Sequence, residues 1–121
     1  MSTASTVGGR NWKRAKANAL TSLREIADQA MLGSARPHTA ADRMLAVANL
    51  AVQAQGAILR LAEIAEIETV GLGQLREITD EAVAGVRRPS VAGERMLIVL
   101  ALARAVEAAV VEMTAVAESE E

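Results

Sequence analysis

The segment LTSLREIADQA at residues 20–30 returns as LGQLREITDEA at residues 72–82, and the correspondence continues without a gap. Gly33, Arg36, Pro37, Arg43, Met44 and Leu45 answer to Gly85, Arg88, Pro89, Arg95, Met96 and Leu97. Roughly 20 of about 47 aligned positions are identical, far more than an Ala-rich chain repeats by chance. Residues 20–66 and 72–118 therefore read as two copies of one unit. The pattern inside that unit decides the fold.

Within the first copy, Leu23, Ile26 and Ala30 continue a stripe begun at Ala15 and Ala19. Their spacing of three and four is that of a helix with one core-facing side. The spacing predicts a first helix from a cap at Asn11 to about residue 35, closed by Gly33 and by the bar that Pro37 sets on a helical Arg36. A second helix follows, with Thr39 as its cap and Asp42 completing a capping box, and extends to about Glu68. Met44, Val47, Ala51, Ala54, Ile58, Leu61 and Ala65 form one seam on it, and Leu45, Val52 and Leu59 start a second seam beside the first. No charge falls between Arg43 and Arg60, so the helix is expected to be covered on more than one side. The second copy repeats the arrangement, with a helix from Leu72 to about Val86 and another from a cap at Ser90 to about Ala117.

Short breaks between helices join antiparallel neighbours. The expected fold is therefore all-α, a four-helix bundle built from two duplicated short-long helical hairpins related by a pseudo-two-fold axis. Residues 1–10, rich in Ser, Thr, Ala and Gly, read as a flexible arm; residues 11–118 as a single domain; and residues 119–121 as an acidic tail.

Composition agrees with an aliphatic helical core. Of 121 residues 51% are hydrophobic, yet Trp12 is the only aromatic and Cys is absent. Disulfides and thiolate metal sites are thereby excluded. No polar-free run approaches the roughly 20 residues that span a bilayer, and the polar start has no apolar stretch of a secretory signal. The expectation is a cytoplasmic protein without a transmembrane segment, or a virion-associated one if phage-encoded, since Ala, Val and Arg enrichment suggests a GC-rich bacterial genome or its phage.

A third helix of about 15 residues can flank only half of a partner near 30 residues long. Leu59, Leu61, Ile64 and Ile67 on one long helix, and Val110, Val111, Met113 and Val116 on the other, would then be undercovered. Either the N-terminal extension of the first helix or another subunit must cover them. All of these but Leu61, with Trp12 as an anchor, are the expected interface.

The repeated charges read as structural. Asp28 with Arg43, and Asp80 with Arg95, are expected to form ion pairs tying each long helix to its short partner. His38 stands alone in a loop, without the Cys or second His that a metal site requires and without a placed nucleophile. Gly71 and Gly73 follow a helix and lack a phosphate-binding Lys. Met31, Met44, Met96 and Met113 fall at core-facing positions as adaptable filling. No catalytic, cofactor or metal site is therefore expected.

Arg10, Lys13, Arg14 and Lys16 around Trp12 are the remaining cluster with a functional look. They could contact anions, nucleic acid or an anionic membrane, or meet the acidic tail of a neighbouring subunit. The sequence thus points first to a non-enzymatic assembly module, forming a homo-oligomer or docking a partner protein. The second reading is a nucleic-acid accessory protein.

Overall fold

The computed structural model describes the backbone of residues 2–119 and the side chains of residues 12–115. Among the described residues it is all-α: α1 (Ser2–Ala35), α2 (Ala40–Ala65), α3 (Leu72–Arg87) and α4 (Ala92–Ser119), with no strand. Single 3-10 turns, Pro37–Thr39 and Pro89–Val91, lead into α2 and α4. The four-helix bundle follows from how these elements pack. α1 and α3 each pack on both α2 and α4, and the two long helices α2 and α4 meet across the middle.

The hairpin ends form for a local reason. Arg36 and Arg88 each precede a proline, which disfavours helical backbone there. Both are extended, at φ −128° and ψ 78° for Arg36 and φ −129° and ψ 78° for Arg88. Each proline then opens the next turn, where its missing N–H costs nothing. Gly33 and Gly85 behave differently from the expectation of positive-φ caps. They lie within α1 and α3, and Gly71 is the only described glycine with positive φ.

Other boundaries shift as well. α1 begins at Ser2 rather than at a cap on Asn11. Gly8 and Gly9 lower helix stability by about 1 kcal/mol each relative to Ala, a penalty that weakens a helix without forbidding it. α2 stops at Ala65, where Glu66 turns left-handed at φ 56° and its N–H donates to the Ala62 carbonyl. The Ile67 N–H donates to the same carbonyl at 3.0 Å, so the freed end of the helix is satisfied by the turn itself.

The expected capping box at Thr39 does not form. Thr39 Oγ1 instead donates to the Arg36 carbonyl at 2.8 Å and accepts from Arg43 Nε at 2.9 Å.

The core is the set of predicted stripes. Ala15, Ala19, Leu23, Ile26 and Ala30 of α1 are buried, as are Met44, Val47, Ala51, Ala54, Ile58 and Leu61 of α2. Met96, Val99, Ala103, Val106 and Val110 of α4 join them. Small residues at the centre of both long helices let their backbones approach. Thr114 is the one buried polar side chain among the described residues, and its hydroxyl donates back to the Val110 carbonyl at 2.9 Å, which removes the cost of burying it.

Candidate interaction faces

Trp12 and Val110, both expected at an interface, and Leu61, expected to be undercovered, belong to the core: Trp12 is 5% exposed, and Val110 and Leu61 are fully buried. The reason is the length of α1, 34 residues against 16 in α3, which carries Trp12, Ala15 and Ala19 into the same core as Val110. Val70, in the segment between α2 and α3, and Leu72, at the start of α3, also pack on the core. Ile64, Ile67 and Met113 are half-buried, while Leu59 and Val111 remain exposed. Val116 lies outside the described side chains, as does Arg10. Met31 is exposed rather than core-facing.

The apolar surface that does remain open lies elsewhere on the long helices. Leu45 is 58% exposed, Val52 62%, Leu97 57% and Ile98 47%. Leu45, Val52 and Leu59 recur every seven residues, which places them on one side of α2, facing away from the buried seam. The second seam expected to be covered is therefore uncovered by this chain. Its signal was the charge-free run between Arg43 and Arg60, which exceeds what one buried face requires. By length and composition alone the helical stretch Pro37–Ala65 also passes for a membrane span, with 33% of its most apolar window buried. Core helices of soluble proteins pass the same test, but those are mostly buried, and this one is not.

Beside Leu45 an apolar groove of about 170 Å³ opens between α2 and α3, lined by Ala48, Ala82, Val83, Val86 and the stem of Arg87. At the position answering to Ala48, α4 carries the larger Leu100. A groove of that size accepts one aliphatic side chain.

Neither Asp28 nor Asp80 is the partner of its arginine: one hairpin holds a neutral hydrogen-bonded clamp and the other an ion pair. Arg43 Nη1 donates to Gln29 Oε1 at 2.9 Å, and Arg95 Nη1 pairs with Glu81 Oε2 at 2.7 Å. Asp28 and Asp80 are exposed, whereas Gln29 and Glu81 are partly buried beside Ala30 and Ala82. One residue turns a helix by about 100°, enough to swing the carboxylate away from the facing helix. The first clamp has two neutral acceptors, Gln29 and Thr39; the second has one acid and no hydroxyl, because Val91 replaces Thr39. Arg95 Nε is consequently buried without a partner, at the edge of an open cleft of about 380 Å³ lined by Asp80, Arg87 and Arg88.

A further ion pair closes only one side of the bundle. Arg24 Nε of α1 donates to Glu107 Oε2 of α4 at 2.7 Å. The equivalent positions on the other side are Arg76 of α3 and Gln55 of α2, where no carboxylate is available.

In the basic segment, Lys13 and Arg14 are exposed and Lys16 is partly buried. Lys13 Nζ sits 6.0 Å from the centre of the Trp12 ring. With that ring in the core, the segment offers charge but no stacking surface. His38 is exposed, and no three His, Asp or Glu side chains converge on a point among the described residues. Comparison of the chain with protein-family models, curated proteins and solved structures finds no match in any of the three.

Proposed function

We propose that this protein is a non-enzymatic assembly module, a helical bundle that self-associates or docks a partner protein through the outward apolar faces of its long helices. One observation carries the reading: Leu45, Val52 and Leu59 form a continuous exposed seam on α2, with a groove alongside it. Isolated exposed apolar residues are ordinary, but a contiguous, charge-free row of them is a mark of an interface. A GC-rich bacterium or its phage, using the module as an accessory or structural component, fits the Ala-, Val- and Arg-rich composition.

The nucleic-acid reading draws less support. Lys13 and Arg14 supply exposed charge, but a buried Trp12 removes the base-stacking partner that single-strand binders use.

Light scattering of the chain at low and high salt tests the proposal. A dimer or larger species at both salts is the expected result, because apolar association is not screened by ions. A Val52→Asp variant should lose that mass while keeping its helicity. A single chain's mass at both salts, with no partner helix bound, would overturn the assembly reading.

A further inference from the structure

Six side chains line the open cleft between α3 and the start of α4: Asp80, Val83, Ala84, Arg87, Arg88 and Arg95. The first five belong to α3 and its C-terminal cap, where spacings of three and four put them on one stripe of the helix. The repeat supplies an internal comparison. Asp80, Arg88 and Arg95 answer to Asp28, Arg36 and Arg43, which are the same residue types. Val83, Ala84 and Arg87 answer to Met31, Leu32 and Ala35. All three differences work in one direction: in the second copy two side chains are smaller, which opens the cleft, and the third is a cation.

Helix capping does not account for the added charge. A cation is welcome at the C-terminal end of a helix, but the first hairpin meets that need with Arg36 alone. Arg87 and Arg88 are exposed, and their side chains make no hydrogen bond or ion pair among the described residues. Two unpaired guanidinium groups lining one cleft repel each other, and an anion between them removes that cost. Arg95 is held beside them by Glu81, which takes its Nη1 at 2.7 Å.

Two further acids lie nearby. Glu94 is exposed on the first turn of α4 and is not part of the lining. Asp80 is part of it, but stands two turns of α3, about 10 Å along the axis, from Arg87. Its carboxylate has no partner either. The cleft therefore has a cationic end and, across the small apolar Val83 and Ala84, a single carboxylate. A bare anion would leave that carboxylate unused. A phosphate ester bearing hydroxyl groups uses both ends: guanidinium groups bind phosphate oxygens in pairs, and a carboxylate accepts from hydroxyls. An open volume of about 380 Å³ is large for one phosphate and suits a small ester. With no aromatic side chain in the lining, a nucleobase finds nothing to stack on.

We infer that this cleft binds a small hydroxylated phosphate monoester of the sugar-phosphate kind, with Arg87, Arg88 and Arg95 on the phosphate and Asp80 on the hydroxyls. The site does not depend on the assembly reading, and either can fail alone.

Titration calorimetry of the full chain in a phosphate-free buffer tests it, with ribose 5-phosphate, inorganic phosphate and ribose as the probes. Ribose 5-phosphate should give a saturable one-site heat, inorganic phosphate should bind more weakly, and ribose should not bind. Arg87→Ala and Arg88→Ala should each raise the dissociation constant of the ester about tenfold, as the loss of a charge-assisted hydrogen bond does. Arg36→Ala, at the equivalent place in the first hairpin, should change nothing. Asp80→Ala separates the two ends: it should weaken ribose 5-phosphate by about threefold or more, while inorganic phosphate binds as before or more tightly. No saturable heat from either phosphate, or binding that survives both Arg87→Ala and Arg88→Ala, overturns the site. Unchanged binding of ribose 5-phosphate to the Asp80→Ala variant overturns the hydroxyl end, and a single-stranded oligonucleotide that displaces the ester from the same arginines overturns the ligand class.

Discussion

Met96 of α4 rests on Gly33 of α1 so closely that a Cβ on the glycine would stand 2.7 Å from Met96 Cε and 2.9 Å from its Cγ. The equivalent residues make the same contact in exchange: a Cβ on Gly85 would stand 2.9 Å from both Cε and Cγ of Met44. Each methionine thus seats on the first helix of the other hairpin, and the two hairpins are locked together at the end where their turns lie. Gly33→Ala and Gly85→Ala add a methyl where Cγ, and not only the mobile tip, must give way. An alanine gains about 1 kcal/mol in helix propensity, and overpacking costs about 1–3 kcal/mol. The net expectation is a loss of stability in both, seen as a lower urea midpoint. A raised midpoint would mean that Met96 and Met44 repack freely.

Gly71 should not tolerate a side chain at all. Its φ is 76°, and a Cβ there would meet Val106 Cγ1 at 2.7 Å. Left-handed backbone costs a non-glycine residue about 1–2 kcal/mol before any clash is counted. Gly71→Ala is expected to lower the thermal midpoint by several degrees, whereas Gly73→Ala, with nothing within 4 Å, should leave it unchanged or raise it.

The orphaned Arg95 Nε can be given back its partner. Thr39 satisfies Arg43 Nε in the first hairpin, and Val91 occupies the equivalent place in the second. Val91→Thr should stabilise the protein by about 0.5–1.5 kcal/mol, the usual net worth of a hydrogen bond. No gain in chemical denaturation would show that solvent already reaches this nitrogen.

Removing the two candidate acids should separate them. Glu81 pairs with Arg95 while both are largely covered, at 23% and 30% exposed. Glu81→Ala is expected to cost about 1 kcal/mol or more, and Asp80→Ala, at an exposed position, to stay within about 0.5 kcal/mol. Equal losses in urea melts would return the clamp to Asp80.

Burial also changes which substitutions can report on assembly. Val110→Asp would place a charge at a fully buried position and should unfold the domain, at a cost above about 4 kcal/mol. Trp12→Ala should cost about 3–5 kcal/mol for the same reason. Circular dichroism of both variants, beside Val52→Asp, distinguishes a broken core from a broken interface: only the last should keep its helices.

Much of this fold was legible from one strand of letters. Arg36-Pro37 and Arg88-Pro89 marked the hairpin ends because proline restricts the residue before it wherever it occurs. The stripes Ala15 to Ala30 and Met44 to Leu61 named the core because helical periodicity alone assigns a face. Neither inference depends on what the helix packs against.

Other features depended entirely on that. Whether Asp28 or Gln29 meets Arg43, and Asp80 or Glu81 meets Arg95, is a matter of one residue and about 100° of rotation, settled only once the helices dock. Trp12 and Val110 were apolar residues at the end of a bundle until α1 ran past α3 and covered them. The seam of Leu45, Val52 and Leu59 reads from sequence only as a face that needs cover, because periodicity reveals that a face is apolar without revealing what lies over it. The repeat determined which residues share a face; the packing of α1 against two long helices decided which of those faces the chain could cover by itself.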